Sequence, residues 1–276
     1  MTVETAAQAV LSGLNDIRAD VEDLYRDLHA HPELGFQEHR TAGKAAEALR
    51  GCGYQVTEGL GGTGVTGVLT RGTGPTVLLR ADMDALPVRE ATGLPYASTA
   101  TAKDAEGQER PVMHACGHDA HVACMVGFAR LMAAAPEGTW RGTLIVLFQP
   151  SEENGDGARA MIDDGLTEKV PRPDVVLAQH VLPYPAGYVG TRPGSFLSAA
   201  DNLRITLHGR GAHGSAPQTG VDPVVMAAMC VLRLQTVVSR ETGATTPVVV
   251  TVGSIQAGTG PNIIPDHAVL QLNVRT

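Results

Sequence analysis

The run His114-Ala115-Cys116-Gly117-His118-Asp119 holds a thiol and an imidazole one residue apart, with a glycine between them that lets the backbone turn both toward one point. Further along, Glu152-Glu153 follows the apolar run Leu144-Ile145-Val146-Leu147-Phe148, and His180 follows a second apolar run. Thiolate, imidazole and carboxylate are the ligands that zinc and its divalent neighbours prefer. Cysteine with histidine favours zinc, while the carboxylates also suit manganese, cobalt or nickel. The bland alternative for Cys116 and His118 is a buried thiol beside a helix-capping histidine. A paired carboxylate and another strand-end histidine downstream tip the balance toward a metal site.

The remaining candidates follow from what such a site needs. Adjacent side chains at a strand end diverge, so one of Glu152 and Glu153 can ligate while its neighbour serves as a base; two solvated loop carboxylates are the alternative. Asp82 and Asp84, two apart at a strand end, share a side of the strand. Either can orient a ligand histidine or act as a structural hydrogen-bond acceptor. His114 and His121 are within reach of the site, with a supporting hydrogen bond or the helix surface as their default. His213 lies in the flexible turn Gly209–Gly214, Asn262 in Gly260–Pro265, and Arg275 carries a planar fork suited to a carboxylate. Spacing alone leaves these three open between function and ordinary turn or surface roles. A cysteine hydrolase with Cys116 as nucleophile is a further, weaker reading, since it needs a base and an oxyanion hole.

Positioning these groups requires strands that end together. Val10, Leu14, Ile17, Val21, Leu24 and Leu28 form one helical stripe that Pro32 stops. A second helix is expected from Thr41 to Arg50, then strands over 65–69 and 76–79, and a polar connection over 89–108. A helix from His118 to Ala134, a strand over 143–148, a helix over 158–164 and a strand over 175–177 follow. The pattern predicts an α/β fold: a mostly parallel sheet with helices on both faces, over residues 1–197. Strands over 202–208, 247–255 and 268–274 with a helix over 221–239 predict a small inserted α+β lid, residues 198–276. The chain stops on a strand-like run, which suggests a gene product that continues.

Composition narrows the partners. The 276 residues carry 29 acidic and 21 basic side chains, a net charge of −8, and their mean hydropathy is near zero. Nucleic acid and anionic membranes, which need a basic face, are not expected. No apolar stretch is expected to reach the length of a membrane span. The N-terminal twenty or so residues lack the basic-then-apolar layout of a signal peptide, so a cytoplasmic location is expected. Cys52, Cys116, Cys124 and Cys230 form no paired framework, and Cys124 and Cys230 read as inert core thiols.

The stretches Arg26–Thr41 (RDLHAHPELGFQEHRT), Leu79–Pro87 (LRADMDALP), Met113–His121 (MHACGHDAH), Phe148–Ala158 (FQPSEENGDGA), Gly211–Val225 (GAHGSAPQTGVDPVV) and Val250–Pro265 (VTVGSIQAGTGPNIIP) together resemble the aminoacylase/carboxypeptidase-G family of metallopeptidases. The nearest branch is the amidohydrolases that include hippurate hydrolase and the auxin-conjugate hydrolases. The resemblance implies a metal-dependent amidohydrolase that cleaves N-acyl amino acids with a metal-activated water, as a homodimer through the lid. It implies two divalent ions, with Cys116 bridging them, His118, Glu153 and His180 as further ligands, and Glu152 as general base. His213 would reach the oxyanion from a partner's lid, Asn262 and Arg275 would meet the substrate carboxylate, and Asp84 would support the ligands. Asp82 stands where other branches place a histidine ligand. Members of the family continue for roughly a hundred residues more, to a final histidine ligand. A catalytically incompetent fragment or a non-catalytic binding subunit on the same scaffold is therefore the alternative.

Overall fold

The computed structural model describes residues 2–105 and 107–276 and divides into two compact units, Met1–Tyr184 and Pro185–Thr276. The division falls earlier than the expected boundary after residue 197. Residues 185–199 form no regular element, and Ala199 exchanges backbone hydrogen bonds with Thr276, which ties the end of that stretch to the second unit.

The first unit begins with α1 (Val3–Leu11), α2 (Leu14–Ala30) and α3 (His39–Gly51). The single apolar stripe expected across residues 10–28 is therefore split, and Gly13 stands at the break, close against Leu131. The strands β1 (Gln55–Leu60), β2 (Gly64–Arg71) and β3 (Thr76–Asp82) follow, then a small hairpin, β4 (Thr101–Lys103) and β5 (Glu109–Pro111). β1 was not expected from the sequence, and the hairpin lies across the expected polar connection, in which Glu106 falls outside the described residues. Next come α4 (His118–Ala134), β6 (Gly142–Gln149), α5 (Gly157–Asp163), α6 (Leu166–Lys169) and β7 (Val175–Ala178).

The main sheet has the order β1-β2-β6-β3-β7. β6, β3 and β7 pair in parallel, and β2 is antiparallel to both β1 and β6, so four of the five strands point one way. β6 alternates apolar residues between two cores, as the pleat requires. Leu144, Val146 and Phe148 join Leu28 of α2, Ala45 and Leu49 of α3, and Val122 and Met125 of α4. Ile145 and Leu147 face the other way, toward Leu60, Leu78, Met161 of α5 and Val170. Helices thus cover both faces, as a mostly parallel sheet demands. Cys124, expected in the core, is exposed on α4.

The second unit contains β8 (Ala200–His208), β9 (Ala212–His213), α7 (Pro223–Thr236), β10 (Val249–Ala257), β11 (Ile263–Ile264) and β12 (His267–Arg275). Its antiparallel sheet runs β10-β12-β8. Ala268, Leu270 and Leu272 alternate inward from β12 against Ala227, Cys230, Val231 and Leu234 of α7. Asp222 caps α7 through the N–H groups of Val224 and Val225, with Pro223 in the first turn. With the π turn that continues it, the helical stretch Pro223–Glu241 is long and apolar enough to cross a membrane by length and composition. That overturns the expectation that no stretch reaches this length, although one face of the helix is packed on the sheet.

Candidate functional site

β3, β6 and β7 are parallel and end side by side. The groups just past their C-terminal ends, with the start of α4, make the site, at the edge where open α/β sheets bind ligands. Asp82 is the last residue of β3, and Ser151-Glu152-Glu153 follows β6. His180 follows β7, and Cys116-Gly117-His118 leads into α4.

Gly117 makes the last of these turns possible. Its φ is +85°, and a Cβ there would collide with Val181 Cγ2. A side chain is thus excluded by backbone conformation and by space alike. The turn after β6 is held by two buried carboxylates. Glu38, fully buried, accepts the Ser151 N–H at 2.8 Å and the Thr63 hydroxyl at 2.6 Å. Asp84 accepts the Glu153 N–H at 3.0 Å, and its other oxygen is 3.3 Å from His118 Nδ1.

The structure brings four of the expected groups together. The ligating atoms of Cys116, His118 and Glu153 lie within 4.8 Å of one another, and Cys116 Sγ is 3.4 Å from His180 Nε2. Glu152 Oε2 is 3.9 Å from His118 Nε2. A second set, Asp82, His118, His121 and His180, overlaps the first through His118 and His180.

The electrostatics of this cluster call for a cation. His118 is fully buried; its Nδ1 is paired with Asp84, and among the described residues its Nε2 has no hydrogen-bond partner. Asp82, Asp84, Glu152 and Glu153 all approach it within 4.0 Å. Burial would lower the His118 pKa, but these carboxylates outweigh it and raise the value. Burial, together with the charges of Asp82 and Glu153, raises the Glu152 pKa. Burial and the neighbouring Glu153 and Glu152 push the Cys116 thiol up to about 12. Without a cation Cys116 is a protonated thiol, the wrong form for the cysteine-nucleophile reading. A divalent ion supplies the missing positive charge and deprotonates the thiol, so the donor set fits a metal.

The supporting hydrogen bond expected of His121 is present, while Glu38 and His29 were missed by sequence reasoning. His121 is buried, with Nδ1 2.5 Å from Asp82 Oδ1 and Nε2 accepting the Val181 N–H at 2.9 Å. Asp82 is also paired with Arg80. Burial would raise the Asp82 pKa, but the His121 bond, His118 and Arg80 pull it down to about 2. Further in, His29 lies between Asp119, at 2.6 Å, and Glu90, at 3.1 Å. A cavity of about 380 Å³ beside Cys116 is lined by Tyr25, His29, His114 and Leu182, among others. Glu38, His29 and His121 all fall inside quoted motifs, but a motif names positions without saying what they touch.

Within the second unit, β9 pairs with β11, and the Gly214 N–H donates to Asn262 O. His213 and Asn262 are thereby held side by side, both exposed. The Ser215 N–H donates to His213 Nδ1, which leaves the proton of a neutral ring on Nε2. Arg275 is not brought to this turn. The turn leaves the sheet from His208, paired with His267, while Arg275 pairs with Ala200 at the opposite end of β12. Eight residues of extended strand separate those ends, roughly 27 Å.

Comparison with known proteins places this geometry in context. Residues 78–270 match the signature of peptidase family M20/M25/M40. The chain is 40% identical over 264 residues to a hippurate hydrolase of Campylobacter jejuni, covering 94% of this chain and 65% of that protein. It is 37% identical over 265 residues to an N-acetyl-L-cysteine deacetylase of Bacillus subtilis, covering 95% of this chain and 61% of the relative. Among solved structures it is similar to the YXEP protein of Bacillus subtilis, described as a dinuclear metal-binding peptidase. The TM-score is 0.71 and the identity 32%, over 95% of this chain and 65% of that one. The chain therefore spans somewhat less than two thirds of the length of these relatives.

Proposed function

This chain belongs to peptidase family M20/M25/M40, and from that premise we propose that it is a metal-dependent hydrolase of linear amides, acting on N-acyl amino acids. The observation that carries the reading is the convergence of Cys116, His118, Glu153 and His180 about the unpaired Nε2 of a buried histidine, with Glu152 beside them. The substrate class draws support from the hippurate hydrolase and N-acetyl-L-cysteine deacetylase relatives. Two ions rather than one are supported by the dinuclear description of the Bacillus subtilis structure. Zinc or manganese suits the donors best, with cobalt or nickel as substitutes.

Cys116, His118, Glu153 and His180 would hold the metal. Divalent ions supply a Lewis acid and a water of lowered pKa. Glu152, whose pKa burial and the charges of Asp82 and Glu153 raise, would take the water's proton and return it to the departing nitrogen. Asp84 fixes both His118 and the Glu153 backbone, so that the donors do not reorganise during the reaction. The cavity beside Cys116 is suited to the acyl group, since Val181, Leu182 and Pro183 supply apolar walls. His213, with its proton on Nε2, would supply an oxyanion donor from the lid of a partner subunit, and Asn262 beside it a polar contact for the substrate carboxylate. We assign Arg275 the same carboxylate role only if it acts from elsewhere than the His213 turn. A homodimer is favoured by the apolar outer face of α7, where Val225, Met229 and Leu232 are exposed. The four cysteines, none of them in a disulfide, favour a cytoplasmic setting.

Glu152→Gln tests the mechanism. The variant should bind zinc as the wild type does while hydrolysing N-acyl amino acids about 10² to 10⁴ times more slowly. Near-normal turnover would remove Glu152 from the chemistry.

A further inference from the structure

The four-donor group Asp82, His118, His121 and His180 invites the conclusion that His121 is itself a metal ligand. Its hydrogen bonds argue otherwise. The Val181 backbone N–H can only donate, so His121 Nε2 must be the unprotonated nitrogen that accepts it, at 2.9 Å. The ring proton of the neutral imidazole therefore sits on Nδ1 and is given to Asp82 Oδ1 at 2.5 Å. Both nitrogens are occupied, and the ring is 1% exposed. No lone pair remains for a cation. His118 is the opposite case: its Nδ1 is paired with Asp84, and its Nε2 has no hydrogen-bond partner among the described residues.

What His121 holds is the residue next to a proposed ligand. The Val181 carbonyl accepts a hydrogen bond from His180 Nδ1 at 2.6 Å. That bond places the His180 proton on Nδ1 and frees Nε2, which lies 3.4 Å from Cys116 Sγ. One residue, Val181, thus gives its N–H to His121 and its carbonyl to His180. The Val181 side chain also lies over Gly117, where no Cβ fits. The His121 and His180 rings meet edge to face at 4.7 Å.

We propose that His121 is the positioning residue for His180: anchored on Asp82, it fixes the Val181 peptide, which sets the tautomer and direction of the His180 ring. The assignment rests on reading Cys116, His118, Glu153 and His180 as a metal site. Glutamine at position 121 has the same two capacities, an oxygen to accept the Val181 N–H and an amide to donate to Asp82. Leucine has neither.

The experiment is a zinc titration against a competing chelator, on the chain stripped of metal, for the wild type, His121→Gln and His121→Leu. It is paired with ¹⁵N-imidazole NMR of the wild type with and without zinc. Zinc affinity should fall about ten- to a hundredfold in His121→Leu and stay within about threefold of the wild type in His121→Gln. In the wild-type spectra His121 should be the Nδ1–H tautomer in both states with Nε2 unmoved by zinc. His180 should also be the Nδ1–H tautomer, and its Nε2 should shift when zinc binds. A zinc-induced shift at His121 Nε2 would make it a ligand and overturn the proposal. So would wild-type affinity in His121→Leu, or a His121→Gln variant as weak as His121→Leu. Should His121→Leu not fold, His121→Gln and the tautomers decide the matter. A wild-type chain that takes up no zinc would instead sink the metal reading itself, an outcome distinct from the others.

Discussion

The two units hold their candidate chemical groups in opposite ways. At the strand ends of the first unit, Asp82, Asp84, His118 and His121 are almost wholly buried and bonded across long stretches of chain. In the second, His213 and Asn262 are exposed on a short turn, and among the described residues the His213 ring bonds only to Ser215, two residues away. A buried polar network is costly when a member is lost, because its partners stay desolvated. An exposed turn residue returns to water. Stability and function should therefore be coupled in the first unit and separable in the second.

The largest departure should come from Asp84→Ala, which strips a buried partner from His118 and from the Glu153 N–H together. A loss of about 3 kcal/mol is expected, read as a lowered denaturant midpoint. An unchanged midpoint would mean that the first unit tolerates gaps as the second does. Gly117→Ala comes next, at about 2 kcal/mol, from left-handed strain and the collision with Val181. It should also weaken zinc binding, because His180 moves with Val181; stability lost without any change in zinc affinity would uncouple the two.

A pH series sharpens the comparison further. Burial alone would lower the His29 pKa, but its bonds to Glu90 and Asp119 outweigh that and raise it. A folded-state value above the unfolded one contributes stability that is complete below about pH 6.5 and lost as pH rises through the folded value. The gap in thermal midpoint between the wild type and His29→Gln should therefore narrow as pH rises above about 6.5. A gap that widens would mean the ring is buried neutral. The smallest effect on stability belongs to His213→Ala, within about 0.5 kcal/mol of the wild type. The same change should cut turnover of the active protein about a hundredfold. Instability in that variant would erase the contrast between the units.

How much of this was legible in the sequence follows the same division. Cys116, His118, Glu153 and His180 could be found because each follows a strand-like run or opens a helix, and strand ends gather in α/β folds. The strand expected over 143–148 and the helix expected from His118 to Ala134 were likewise plain. Glu38 and His29 were not, because their partners lie 113 and 90 residues away and no local pattern announces such a bond; for His121 the supporting bond was legible but not its partner, 39 residues away. β1 was missed because Gln55–Leu60 is half polar, with only Leu60 fully buried. The distance of Arg275 from the His213 turn was hidden too, since it depends on the register between β8 and β12.

The alternation along β6 sets a condition on how this chain can change. Odd and even positions of that strand serve different cores, and its last residue leads straight into the glutamates. Adding or deleting a single residue between Gly142 and Gln149 would exchange Phe148 and Leu147 between layers and swing the acidic pair to the wrong side. Length variation in this region is therefore tolerable only in the loops before Gly142 or after Asn154, and the strand must evolve by substitution alone.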